Sequence, residues 1–230
     1  MKKAIFIAVL GVAASMAYAD PAVVTKPVNP YLGYYVNGDT SDSAASSQVW
    51  DKITMTGSYN LSGIDWSGEY VAYPQFFGSP YDGTPSGLSF TLGVYSNSGG
   101  APGSLLGSVS LGSGSGVMTG NINGTSFGAA THQWNYNASF ALGSLPNLMN
   151  GQTYWLSIQA TANTGDGFWS WEYGTGADNV EYLTGAGVLP GQAMAYTLYG
   201  QVAPVPEPGT LTLAGLGGLG MFFALRRKKV

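Results

Sequence analysis

Trp134-Asn135-Tyr136-Asn137-Ala138-Ser139-Phe140-Ala141-Leu142 places large or apolar side chains at the even positions and small or polar ones at the odd positions. A period of two belongs to a strand with one buried face, because an amphipathic helix would repeat its apolar residues every three or four positions. The same alternation runs through Leu88, Phe90, Leu92 and Val94, and through Tyr154, Leu156, Ile158 and Ala160. Tyr196, Leu198 and Val202 mark a fourth strand. Turn clusters separate these runs, among them Ser96-Asn97-Ser98-Gly99-Gly100, Pro102-Gly103, Gly112 to Gly116, Asn121 to Gly124 and Asn150-Gly151. Only Ala44 to Ile53 offers a helical period. Many short strands joined by Gly, Pro and Asn turns predict an all-β body over residues 20–203, an antiparallel β-sandwich of jelly-roll-like character.

Composition agrees with a packed core. The chain has 230 residues, 45% of them apolar and only 9% charged. It holds no Cys and a single His, His132, which excludes disulfides, thiol nucleophiles and any two-His metal site within one chain. Charge is distributed unevenly. Between residues 20 and 205 eleven acidic groups face only Lys26 and Lys52, so the body carries about −9 and is a poor partner for nucleic acid. From Gly83 through Gly165 there is no Asp, Glu, Lys or Arg at all. Ser, Thr, Asn and Gln hydrate this segment instead, which suits contact with a neutral polymer or a matrix.

The two ends read as addresses. Lys2 and Lys3 precede an apolar run from Ala4 to Ala14, and Ala17-Tyr18-Ala19 forms a small-x-small site before Asp20. This predicts a helical secretory signal peptide over 1–19, cut by signal peptidase after Ala19. At the other end, Pro204-Val205-Pro206-Glu207-Pro208-Gly209 breaks any regular structure, since proline fixes φ and removes a donor. Thr210 to Leu225 then runs without charge into Arg226-Arg227-Lys228-Lys229. Sixteen helical residues rise about 24 Å, short of a hydrocarbon core of about 30 Å, a gap that Gly209, snorkelling of the basic cluster and local thinning of the bilayer partly cover. A single transmembrane helix over 210–225 with its cations in the cytoplasm is expected.

The order Pro206-Glu207-Pro208, apolar span, basic cluster resembles the PEP-CTERM sorting signal of Gram-negative bacteria. The resemblance covers residues 204–230. It implies an exosortase that recognises the Pro-Glu-Pro region and processes the tail, an inner-membrane-anchored precursor, and delivery to the cell envelope or the exopolysaccharide matrix of a biofilm. Within the body, Trp66-Ser67-Gly68-Glu69-Tyr70, Gly151-Gln152-Thr153-Tyr154-Trp155-Leu156 and Trp169-Ser170-Trp171 are similar to a sandwich ectodomain found among PEP-CTERM proteins. That likeness supplies no reaction.

Candidate chemistry is sparse. His132 stands at the start of an alternating strand, without a G-x-S-x-G elbow anywhere, so no catalytic residue is assigned to it. Glu69 and Glu172 each lie beside aromatic residues and are the obvious pair for glycoside hydrolysis, although twelve acidic residues make some such pair inevitable. Asn37, Asp39 and Asp42 in one segment, and Asp178, Asn179 and Glu181 in another, offer the oxygen ligands of a structural calcium, without EF-hand spacing. No other metal or cofactor is expected. Phe168-Trp169-Ser170-Trp171-Glu172-Tyr173 packs four aromatics into six positions. As a strand it sets Trp169, Trp171 and Tyr173 on one face, either as core or as a platform for a sugar ring. Trp155 points away from Tyr154, Leu156 and Ile158 and is a further candidate for glycan stacking. Two functions follow: a noncatalytic surface or matrix protein, or a carbohydrate-binding module that uses exposed Trp and Tyr.

Overall fold

A computed structural model describes residues 20–29, 38–72, 88–113, 117–126, 129–161, 167–176 and 178–203. The expected signal helix, the membrane helix and the whole sorting tail lie outside these residues. The chain forms β1 (Ala22–Lys26), β2 (Gly38–Thr40), β3 (Val49–Thr54), β4 (Tyr59–Ala72), β5 (Ser89–Ser98), β6 (Ala101–Ser113) and β7 (Val117–Ser126). It continues with β8 (Ala129–Ser139), β9 (Thr153–Thr161), β10 (Gly167–Gly174), β11 (Val180–Leu183), β12 (Gly187–Pro190), β13 (Ala193–Met194) and β14 (Tyr196–Val202). No helix occurs among the described residues.

The strands make two antiparallel sheets that pack face to face. The larger, of eight strands, runs β1-β14-β4-β10-β13, with β8 also on β4, β7 on β8 and β2 on β10. The six-stranded sheet has the order β12-β11-β3-β9-β5-β6. Alternation in sequence becomes alternation of burial: Phe90, Leu92 and Val94 on β5 and Leu156 and Ile158 on β9 are all closed to solvent. The β5–β6 hairpin turns on Gly99-Gly100, both at positive φ (61° and 88°), which joins Ser98 to its partner Ala101 by the two-residue loop that matches strand twist.

Three details differ from the sequence reading. Ala44 to Ile53 is not helical: residues 43–46 turn and Val49–Thr54 is a strand, with Val49, Asp51 and Ile53 facing inward. The strand that begins before Trp134 ends at Ser139, so Leu142 is exposed and Phe140 only half-buried. Val202 is 71% exposed because β14 has reached the end of its sheet there. A bulge in β4 also changes parity. Tyr199 pairs with Gly63 and Gly200 with Leu61, so Ser62 is the extra residue, and the buried positions switch from Leu61 to Ile64 and Trp66.

An aromatic cluster pins the sheets together. Phe90 of the smaller sheet reaches Trp66 (5.2 Å, edge-on), Tyr136 (4.8 Å) and Trp169 (5.1 Å, edge-on) of the larger. Trp66 and Tyr136 stack on each other at 5.3 Å and 12°. Gly68 makes room for this, since a Cβ there would lie 2.4 Å from Trp169 Cζ2.

Beside this cluster the link is ionic, since Tyr196, the cross-strand partner of Trp66, also reaches Asp51. Lys26 on β1 is 4% exposed, and its ammonium donates to Asp51 Oδ2 at 2.7 Å and to the carbonyls of Lys52 (2.9 Å) and Asp178 (3.1 Å). Asp51 on β3 also accepts from Tyr196 Oη at 2.7 Å and from the Met194 amide at 3.0 Å. Every proton of the ammonium and both carboxylate oxygens are used, the condition under which a buried pair is tolerated. Asp51→Ala should therefore lower the unfolding free energy by about 3–5 kcal/mol, because Lys26 is left buried without a counter-charge. The double change Lys26→Met with Asp51→Leu should recover most of that loss. Urea unfolding followed by tryptophan fluorescence checks both, and an Asp51→Ala variant as stable as the parent contradicts the assignment.

Candidate functional site

The aromatic candidates fall on both faces of the sheets. Trp169 and Trp171 are wholly buried between the sheets, Trp169 in the Phe90 cluster and Trp171 against Tyr196 at 5.7 Å. Of the two sequence readings the core reading is the one realised, and a sugar cannot stack on either ring. Tyr173, half-buried, donates its hydroxyl to Asp39 Oδ2 at 3.0 Å. Burial and the Asp39 charge push that phenol well above its ordinary pKa. Trp155 points to the outer face of its sheet as its parity requires, yet it is 0% exposed. Its indole N–H donates to Asn97 Oδ1 at 3.0 Å, and Tyr182 lies across it at 6.4 Å. Trp50 stands edge-on to both Tyr182 (5.5 Å) and Tyr95 (5.9 Å). This outer layer brings side chains from β3, β5, β9 and β11 over one another, and it closes Trp155 to a ligand.

The acidic candidates are also drawn inward. Ser170 pairs with Glu69 across β10 and β4, so Glu172, two residues on, shares the face of Glu69. The sheet thus brings the suggested pair together, but both carboxyl groups are fully buried. Burial, and then the Glu69 charge, push Glu172 up to about 9, so it keeps its proton at neutral pH. Glu181 is pushed up to about 10 by burial first, then by Asp39 and Asp51. Asp39 and Glu181, from the two separate calcium candidates, therefore meet across the chain. The others are committed elsewhere: Asp42 accepts from the Ala44 and Trp169 amides, Asp178 from the Thr54 amide and Asn179 from the Gly176 amide. Asn37 lies outside the described residues. Among the described residues no three acidic or His side chains converge on a cation position. His132 sits in β8 opposite Ile122.

A polar groove that no local sequence pattern announces lies on the outer face of the eight-stranded sheet. It encloses about 300 Å³ between β14, β4 and β8, with Pro27 and Val28 at one wall. Asp65, Ser67, Asn135, Asn137 and Thr197 line it. Thr25 pairs with Thr197, Thr197 with Asp65 and Asp65 with Asn137, so hydrogen-bonding side chains form one row across four strands. Asn135 and Asn137 are legible as the outward residues of the opening sequence stretch; only the register of four distant strands assembles the row.

Comparison with known proteins bears on the tail. Residues 204–228 match the PEP-CTERM protein-sorting motif. The chain thus carries an exosortase sorting signal at its C-terminus, and such a signal implies export and association with the cell envelope. No curated protein matches the chain.

The buried acids set the pH response of the body. Asp51, pushed up to about 6 mainly by burial, joins Glu172 at about 9 and Glu181 at about 10, against 3.8 and 4.5 in the unfolded chain. The folded state then binds protons that the unfolded chain releases, so stability falls as pH rises from about 4 to about 10. The melting temperature should be higher at pH 5 than at pH 9, and Glu172→Gln should flatten the slope above pH 5. A melting temperature that climbs across this range runs against the assignment.

Proposed function

We propose that the protein is a noncatalytic component of the cell surface or extracellular matrix, delivered by its tail and associated with exopolysaccharide in a biofilm. The observation that carries this is the sorting motif at residues 204–228. In this reading signal peptidase cuts after Ala19 and releases Asp20 as the mature N-terminus. The apolar span 210–225 and Arg226, Arg227, Lys228 and Lys229 hold the precursor in the inner membrane. Exosortase then acts at the Pro206-Glu207-Pro208 region. The uncharged stretch from Gly83 to Gly165 supports a neutral surrounding polymer, because such a surface offers nothing to a charged one.

Replacing Pro206, Glu207 and Pro208 with alanine separates recognition from insertion, since the apolar span and basic cluster remain. In a host with an exosortase, fractionation and immunoblotting should find this variant membrane-bound and full-length, while the parent is shortened and delivered outward. Normal processing of the variant overturns the sorting role of the motif. A chain retaining Lys2 and Lys3 after export overturns the signal-peptide reading.

A further inference from the structure

We propose that the polar groove on the outer face of the eight-stranded sheet binds a neutral polysaccharide chain. The inference rests on the matrix reading above for its setting, and it gives the body a ligand class and a position. It also moves the contact from the tryptophans to a row of amides and hydroxyls.

The groove is prepared for hydrogen bonding. Asn135 Oδ1 accepts from Ser67 Oγ at 2.8 Å and from Gln133 Nε2 at 2.9 Å. Two donors on one oxygen fix which way the amide faces and leave both its N–H groups to a ligand. Asn137, beside it on the same strand face, is exposed, and its side-chain amide makes no hydrogen bond among the described residues. Asp65 uses Oδ2 to accept from Tyr199 Oη at 2.6 Å, which keeps Oδ1 as an acceptor. A polyhydroxylated chain matches this mixture, since each of its hydroxyls both donates and accepts. Val117, 68% exposed and paired with Asn135, adds an apolar rim for sugar C–H groups.

Other ligand classes fit less well. An anionic polymer would meet the Asp65 carboxylate with no cation to answer it, because the Lys26 ammonium is turned away onto Asp51. A protein partner would need an aromatic or aliphatic anchor it can reach, and the rings along the groove, Trp66, Tyr136 and Tyr196, are themselves buried in the core. Strand spacing of about 4.8 Å stretches the row from Thr25 to Asn137 over roughly 15 Å, which suits a chain lying across the strands rather than a single small molecule.

The test is native affinity electrophoresis of the full chain in mild detergent, in gels containing galactomannan, β-1,3-glucan or dextran, with polygalacturonate as the anionic counterpart. At least one neutral gel should retard the parent, and polygalacturonate should not. Asn137→Ala should weaken that retardation by about tenfold, the loss of one or two net hydrogen bonds. Asp65→Ala should weaken it similarly, and Thr91→Ala, on the outer face of the other sheet, should leave it unchanged. Thermal melts confirm that each variant is folded. Parent-like retardation of the Asn137→Ala and Asp65→Ala variants overturns the groove while leaving the matrix reading intact. Absence of retardation in every neutral gel, or retardation by polygalacturonate, also overturns it. Sorting is read separately, because both groove variants should be processed like the parent, and a defect in the Pro206-Glu207-Pro208 variant alone speaks to the tail.

Discussion

The Lys26–Asp51 pair is the constraint around which the two sheets are arranged. Its members come from opposite sheets, and Tyr196 and the Met194 amide close the remaining valences of the carboxylate. Such a pair contributes little net stability compared with apolar groups of the same volume, but it tolerates only one register. A shift of β3 by one residue would turn Asp51 outward and bury Lys52, which now faces out beside Trp155. The apolar part of the interface is less selective, because cores tolerate apolar exchanges that conserve volume. Ionic geometry and aromatic packing thus divide the work: one selects the alignment, the other supplies the burial.

Burial of acids also changes what the outside of the molecule presents. The formal charge of the body is near −9, yet Glu172 and Glu181 hold their protons at neutral pH and Asp51 is matched by Lys26. The charge carried at pH 7 is therefore nearer −7, and less of it is at the surface than the sequence suggests.

How much of this was legible in the sequence depends on the distance over which each feature is assembled. Strand identity was legible, because side-chain alternation is local and Trp134, Tyr136, Phe90 and Leu156 obey it. The orientation of Trp155 was legible for the same reason. Its burial was not, since Tyr182, which lies across it, comes from a strand that sequence does not place beside it. Ala44 to Ile53 misled because a turn followed by a six-residue strand mimics helical spacing. The sorting motif was legible, as its parts are contiguous and chemically distinct. The groove was not, since its row joins Thr25, Thr197, Asp65 and Asn137 through pairings no local pattern encodes.

The first and last strands of the body lie side by side: β1 pairs antiparallel with β14, and Gln201 Nε2 donates to Asp20 Oδ1 at 3.1 Å. Both ends of the domain therefore leave it at one point. β14 is also flanked on its other edge by β4, over seven residue pairs. Tension applied along β14 from its C-terminal end runs along the axis of a strand zipped on both sides. The two ladders are then loaded in shear, with their hydrogen bonds sharing the force together instead of opening one at a time. A domain built this way transmits pull to whatever it holds before it begins to unravel.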